Sequence, residues 1–245
     1  MYERWDEFRA WAARASFDAA EPLDPGLLRT PVPRPPQVFA IGLNYAMQPT
    51  ATPEPPAVPM VFTKFASCLT GPYADVVHPG GSVDWEVELV VVVARYGYRI
   101  PAAEAWSYVA GISAGQDLSE RRTQNAGPVP QFNLGKSFPG FGPVGPWVVT
   151  PDEVDDPDDL ALECWVNGEL VQKARTSEML LSVPVLLERL SAITPLLPGD
   201  LVFTGTPAGV GERHDPPRFL QVGDVVVTKV SGVGDLRTVL VAQEA

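Results

Sequence analysis

The sequence predicts a β-rich α+β fold, a mixed β-roll or barrel forming one large domain, and three observations carry that expectation. Segments rich in β-branched residues and flanked by Gly or Pro outnumber the segments with helical periodicity. The strand segments do not alternate with helices, which argues against a doubly wound sheet. Finally, 27 prolines and 21 glycines punctuate a chain that is still 45% hydrophobic and 20% charged, so the punctuation marks turns between short strands in a globular chain. At 245 residues such a chain buries about 70–75% of its unfolded surface, enough for a single substantial core.

The elements follow in order. Trp5, Phe8, Ala12 and Ala15 recur at helical spacing with charges between them, so residues 2–15 are expected to form a short amphipathic helix. Prolines at 25, 31, 33, 35 and 36 then forbid regular helix and predict an extended connector. We therefore divide the chain into residues 1–37, helix and connector, and 38–245, the catalytic body. Strands are expected at 38–43, 60–65, 84–94, 161–166, 201–204, 222–230 and 235–241, with the Pro-rich stretch 48–59 as a loop over a site. Helices are expected at 102–109 and at 183–193, the latter with Ser182 as N-cap and Pro184 in the first turn.

Charge and cysteine usage exclude several function classes. Eighteen Lys and Arg stand against 30 Asp and Glu, a formal charge of −12 that repels phosphate backbones, so no nucleic-acid partner is expected. Cys68 and Cys164 are far apart and in no metal-type spacing, which predicts neither a disulfide framework nor a thiolate zinc site and fits a reducing, cytoplasmic compartment. The N-terminus carries no basic region followed by an apolar one, and no run of about 18 apolar residues occurs, so neither export nor membrane spanning is expected.

The chemistry concentrates in a few runs. In Val83-Asp84-Trp85-Glu86-Val87-Glu88-Leu89, strand alternation puts Asp84, Glu86 and Glu88 on one face and Trp85, Val87 and Leu89 on the other. A solvated strand face is the plain alternative. The uninterrupted valines 90–93 that follow instead take the strand into the core, where unpaired carboxylates are costly unless they hold a cation. Asp117, after the apolar, glycine-punctuated segment 109–116, is a neighbour from another element. Glu86, Glu88 and Asp117, hard oxygen donors without Cys or His, suit Mg²⁺ or Mn²⁺, admit Ca²⁺ and disfavour Zn²⁺. The loop Gly205-Thr206-Pro207-Ala208-Gly209-Val210-Gly211 brings backbone N–H groups to an anion or forms a tight surface turn. Lys136 sits in Gly135-Lys136-Ser137-Phe138-Pro139-Gly140, surroundings too apolar for a routine surface lysine, and is read as a cation for a carboxylate or enolate. His78 and His214 stand in loops far from these runs, and no Gly-x-Ser-x-Gly elbow exists.

Taken together, these runs resemble the fumarylacetoacetate hydrolase superfamily over about residues 38–241. The ordered pieces are Ile41-Gly42-Leu43-Asn44-Tyr45, Asp84-Trp85-Glu86-Val87-Glu88-Leu89, Tyr108-Val109-Ala110-Gly111, Gln116-Asp117-Leu118-Ser119-Glu120-Arg121, Lys136-Ser137-Phe138, Val166-Asn167-Gly168-Glu169, Thr176-Ser177 and the 205–211 loop. The resemblance implies a β-rich roll of the C-terminal catalytic domain type that works as a homodimer. It implies Glu86, Glu88 and Asp117 as metal ligands, Lys136 facing the substrate, Arg121 near the substrate carboxylate or the metal shell, and Tyr45, Gly205 and Thr206 binding the acid. The substrate class it implies is a small 2-oxo or enol acid, processed by C–C hydrolysis, isomerisation or decarboxylation through a metal-stabilised enolate. One departure stands out. Hydrolases of this family follow Asn-Tyr with a lid carrying a His and, three residues on, a Glu that together activate water. The corresponding positions here are Gln48 and Ala51, neither of which can act as a base, although Gln48 can still orient a water or a substrate oxygen. Glu54 and His214 are the candidates to replace the base. A metal-holding but catalytically silent binding protein is the alternative from a different class.

Overall fold

The computed structural model describes residues 1–16, 20–46 and 54–243. The strand Val87–Val93 is the centre of the molecule because its sequence is apolar at every position but one and is buried on both faces. Val87, Leu89, Val91 and Val93 point into one apolar cluster, while Val90 and Val92 point into a second. Around it forms a seven-stranded mixed sheet in the order Met60–Thr63, Val38–Gly42, Leu201–Phe203, Val87–Val93, Val109–Gln116, Gly142–Val149, Leu69–Thr70. Val38–Gly42 runs parallel to Leu201–Phe203, and the two neighbours of Val87–Val93 run antiparallel to it. A five-stranded sheet, Glu169–Arg175, Ala161–Val166, Val225–Val230, Gly234–Val241 and Asp75–Val77, covers the first cluster with Leu162, Cys164, Val226, Leu236 and Leu240. This is the mixed β-roll that the sequence predicts.

The N-terminal helix Trp5–Ala12 closes the second cluster. Trp5 and, from the proline connector, Val32 are buried against Ala40, Val90, Val92 and Phe203. Val183–Ser191 forms the expected long helix and buries Leu186, Leu187 and Leu190, although Ser182 makes no capping bond through its side chain. Other expectations are corrected. Residues 102–108 form a 3₁₀ helix, and Val109 already begins the strand Val109–Gln116. The strand expected over 84–94 is two strands, Val83–Asp84 and Val87–Val93. It breaks because the Asp84 carboxylate takes the Trp85 N–H at 2.8 Å and the Glu86 N–H turns to the Gln116 side-chain oxygen. Among the described residues no helix is long and apolar enough to cross a membrane. Cys68 and Cys164 are both free and buried.

Candidate metal and acid site

The pairing of two core strands assembles the acidic cluster. Val87–Val93 lies antiparallel to Val109–Gln116 with Val87 opposite Gln116 and Glu88 opposite Gly115. One step past the end of that ladder the Asp117 N–H donates to the Glu86 carbonyl at 2.9 Å. Glu86, Glu88 and Asp117, all buried, thereby offer carboxylate oxygens within 4.8 Å of one another. Glu88 is fixed from a third element, since the Gly205 N–H donates to its Oε2 at 2.8 Å. Gly205 has φ +101°, and a Cβ there would come within 2.8 Å of Asn44 Cβ, so the position requires glycine. Asn44 braces the same corner by donating to the Thr204 and Leu181 carbonyls and accepting from Leu181 N–H. The glycine loop thus binds an anion, and that anion is the chain's own Glu88.

Three buried cations answer the carboxylates. Lys136 Nζ lies 2.6 Å from both Glu86 Oε2 and Asp117 Oδ2. Lys64 Nζ lies 2.7 Å from Asp117 Oδ1 and also donates to the Phe141 and Lys136 carbonyls. Arg121 spans Glu86 Oε1 at 2.6 Å and Asp84 Oδ2 at 2.8 Å, and donates to Gln124. Asp84, Glu86, Glu88 and Asp117 therefore face Lys64, Arg121 and Lys136, one carboxylate more than cations, and the uncompensated one is Glu88. Burial, then the charges of Asp117 and Glu86, push the Glu88 carboxyl well above the usual carboxylate range. Burial works the same way on Asp117, but Lys136 and Lys64 outweigh it and hold that group below its ordinary value. Burial alone would lower Lys136, yet Asp117 and Glu86 keep its ammonium above the ordinary lysine value. The donor set fits a hard divalent cation: three clustered oxygens without sulfur or nitrogen, one of them destabilised as a bare charge that such a cation would neutralise.

Asp84 shares the buried face with the cluster, yet its work lies elsewhere. Its two oxygens accept from Gly211 N–H at 2.6 Å, Glu212 N–H at 3.0 Å and the Arg121 guanidinium, which ties the far end of the glycine loop to the cation that orients Glu86. Gly211 is required because a Cβ would run into the Arg218 carbonyl. Asp84→Ala leaves a buried guanidinium half-paired and three amides, those of Trp85, Gly211 and Glu212, without an acceptor, so a loss of about 3–5 kcal/mol is expected in denaturant unfolding. A loss below about 1 kcal/mol would show that the loop holds without it.

The remaining expectations divide. Thr206 lines the same cleft as Glu86, Arg121 and Lys136, and its Oγ1 accepts from Gln172 at 2.8 Å. Tyr45 is buried off the lining, pairs through its backbone with Met179, and its hydroxyl finds no partner among the described residues. Gln48 and Ala51 lie outside the described residues. Neither candidate replacement base is on the described wall. Glu54 is exposed, and the His214 ring sits edge-on against Trp85 at 5.8 Å, while His78 donates to the Leu220 carbonyl. Sequence reading missed Lys64, Gln172, Glu212 and Arg213. Lys64 carried the signal that singled out Lys136, a lysine in an apolar run, Met60-Val61-Phe62-Thr63-Lys64-Phe65. Gln172, which accepts the Val87 N–H and donates to Thr206, carried none.

The cleft is small, about 130 Å³, with Ile41, Phe62, Phe132 and Val210 on its apolar side, so it suits a small acid rather than a polymer. Comparison with known proteins agrees with this chemistry. Residues 37–241 match the family model of the fumarylacetoacetate (FAA) hydrolase C-terminal domain, and the chain belongs to that family. Over 207 residues it is 42% identical to the Bos taurus protein named "Oxaloacetate tautomerase FAHD2B, mitochondrial", covering 83% of this chain and 66% of the relative's length. A crystal structure of a protein assigned as HpcE from Mycobacterium smegmatis superposes with TM-score 0.93 at 50% identity, over 98% of this chain and 87% of that one. Maleylpyruvate hydrolase from Sphingobium sp. SYK-6, solved with manganese(II) and pyruvate, gives TM-score 0.81 at 28% identity, over 99% and 86%.

Proposed function

We propose that this member of the fumarylacetoacetate hydrolase family is a divalent-metal-dependent enzyme that interconverts keto and enol forms of a small 2-oxo acid, by tautomerisation or isomerisation in preference to C–C hydrolysis. The observation that carries the preference is the wall of the cleft. It presents Lys136 and Glu86, the one triad member that reaches the described lining, with Glu88 and Asp117 buried directly behind, while neither histidine lines it: His78 is bonded to the Leu220 carbonyl and His214 packs on Trp85. Hydrolysis demands a deprotonated water beside the carbonyl, whereas keto–enol exchange demands that charge on the 2-oxo oxygen be stabilised while one proton passes between carbon and oxygen, a transfer that an oxygen of the substrate itself can carry. A divalent ion held by Glu86, Glu88 and Asp117, with Mg²⁺ or Mn²⁺ the best match, would supply Lewis-acid polarisation of that oxygen. Lys136 supplies an ammonium at the cleft surface to meet the developing enolate, and Arg121 keeps Glu86 aimed. Gln48 and Thr206 remain assigned to orienting the acid, within the homodimer that the family resemblance implies, whereas Tyr45, buried off the lining, and Gly205, whose N–H serves Glu88, are not. The relatives' own names, tautomerase and hydrolase, frame the choice. The free thiols of Cys68 and Cys164 support a reducing compartment such as the cytoplasm.

The test follows enol absorbance of oxaloacetate with Mn²⁺-loaded protein, beside cleavage of an acylpyruvate and release of CO₂. Acceleration of enol–keto exchange is expected, and Lys136→Met should lower it by about 10²–10³ while metal affinity holds or rises, because a competitor for Glu86 and Asp117 has gone. Acylpyruvate cleavage or CO₂ release at enzymatic rates without enol–keto exchange would overturn the preference. A metal-loaded protein that leaves every one of these reactions at the buffer rate is the silent binding protein instead.

A further inference from the structure

Gln172, buried on the strand Glu169–Arg175, joins the metal-ligand strand to the glycine loop. Its Oε1 accepts the N–H of Val87, the residue between Glu86 and Glu88, at 3.0 Å. Its Nε2 donates at 2.8 Å to the Pro207 carbonyl and at 2.8 Å to Thr206 Oγ1. The amide cannot be turned round. Val87 N–H has only a proton to give and the Pro207 carbonyl only lone pairs, so the amide oxygen faces the first and the nitrogen the second. The loop rests directly on this strand, because Gly209 has φ +107° and a Cβ there would run into the Val171 carbonyl.

The fixed amide decides how Thr206 is wired. A threonine hydroxyl donates one hydrogen bond and accepts others, and a free one turns its proton to suit whatever meets it. Here the Gln172 N–H occupies a lone pair of Thr206, so the hydroxyl proton lies on the side away from Gln172, and among the described residues no acceptor takes it. Thr206 lines the cleft beside Glu86, Arg121 and Lys136. We propose that Gln172 is a positioning residue that presets Thr206 as a donor toward the cleft, and so tunes that wall for an anionic oxygen. The inference rests on the reading above, in that the acid group of the ligand meets Thr206. A donor aimed before the ligand arrives spares the ligand the cost of turning it.

The experiment measures the affinity of Mn²⁺-loaded protein for pyruvate, a small 2-oxo acid, by water-proton relaxation, beside the affinity for Mn²⁺ alone. Gln172→Glu keeps the size and the acceptor for Val87 N–H, but places an oxygen where the nitrogen donated, which turns the Thr206 proton away from the cleft. Pyruvate should then bind about 10- to 100-fold more weakly, the worth of a hydrogen bond to a charged group, with Mn²⁺ affinity no lower than in the parent. Thr206→Val should weaken pyruvate similarly, and Thr206→Ser should keep most of the binding. In the Thr206→Val background the Gln172 change should cost little further, a coupling that a glutamine serving only the fold would not show. Should Gln172→Glu fail to fold, Gln172→Met enters the same cycle, and its weakening of pyruvate should likewise depend on the Thr206 hydroxyl. Equal cost of the Gln172 change with and without that hydroxyl, parental pyruvate affinity in the Gln172 variants or in Thr206→Val, or loss of Mn²⁺ affinity in step with pyruvate would overturn the assignment. Pyruvate binding is read without turnover, so the two proposals fail separately. Coupling without enol–keto exchange sinks only the reaction, and exchange without coupling sinks only the role of Gln172.

Discussion

Replacing Glu88 with glutamine or alanine is expected to abolish divalent-metal binding while leaving the fold in place. Glu88 is the member of the triad with no cation of its own, held among the described residues by one N–H from Gly205, and burial beside Asp117 and Glu86 already drives it toward the neutral acid. Glutamine has the same shape, keeps an oxygen for the Gly205 N–H and removes only the charge, so the metal-free protein should be as stable as the parent or slightly more so. The metal-loaded protein should lose everything the ion contributes. At 100 times Kd that is about 2.7 kcal/mol, which for a chain of this size is a melting shift of about 5–10 °C. Calorimetric titration with Mn²⁺ and Mg²⁺ and paired melting curves with and without metal check both halves. Undiminished binding in Glu88→Gln would remove the triad as the metal site. A metal-free protein that fails to fold would show that Glu88 holds the core together, not an ion.

The contrast between Glu88 and Asp84 shows which part of the site a sequence makes legible. Alternation along a strand put Asp84, Glu86 and Glu88 on a common face, and the valines that follow showed that this face is not simply solvated. Period-two reasoning carries that far because it is a property of the backbone. It fails at Trp85, where the Trp85 N–H turns to the Asp84 carboxylate and the Glu86 N–H to Gln116, and where Asp84 is itself held by residues more than 120 positions away, Gly211 and Glu212. No local pattern encodes such a partner. The same limit hid three long strands of the body, the first being Val109–Gln116, whose Gly111 and Gly115 interrupt the β-branched pattern. Gly142–Val149 contains Pro143 and Pro146, which read as turn punctuation, and Glu169–Arg175 carries Glu169, Lys173 and Arg175 on its exposed face. Lys64 was missed for a different reason. Its signal was present but was weighed for Lys136 alone, and the structure puts both ammonium groups on the two oxygens of Asp117. Burial of opposite charges by distant elements decides this site, and tertiary pairing of that kind lies beyond periodicity.

The largest gain of function is expected from Gln48→His combined with Ala51→Glu. Hydrolytic members of the family carry a base pair at these positions by the resemblance set out above, and this chain carries an amide and a methyl. Nothing on the described wall compensates: His214 rests on Trp85, His78 serves Leu220, and Lys136 is held as a cation by Glu86 and Asp117. A positioned base is worth about 10²–10⁴ in rate, so acylpyruvate cleavage in the double variant should rise by one to several powers of ten over the parent. Enol–keto exchange of oxaloacetate should change little, because it does not pass through an activated water. Each single variant should fall well short of the double, since a lone imidazole lacks the carboxylate that orients it and a lone carboxylate in the Glu range is a weak base for water. Metal affinity serves as the control and should be unaltered. Cleavage by the parent chain already at about 1–10³ s⁻¹ would mean that another group activates water. Glu212, the one carboxylate among the described residues lining the cleft that is neither buried nor part of the triad, would then be the first residue to replace.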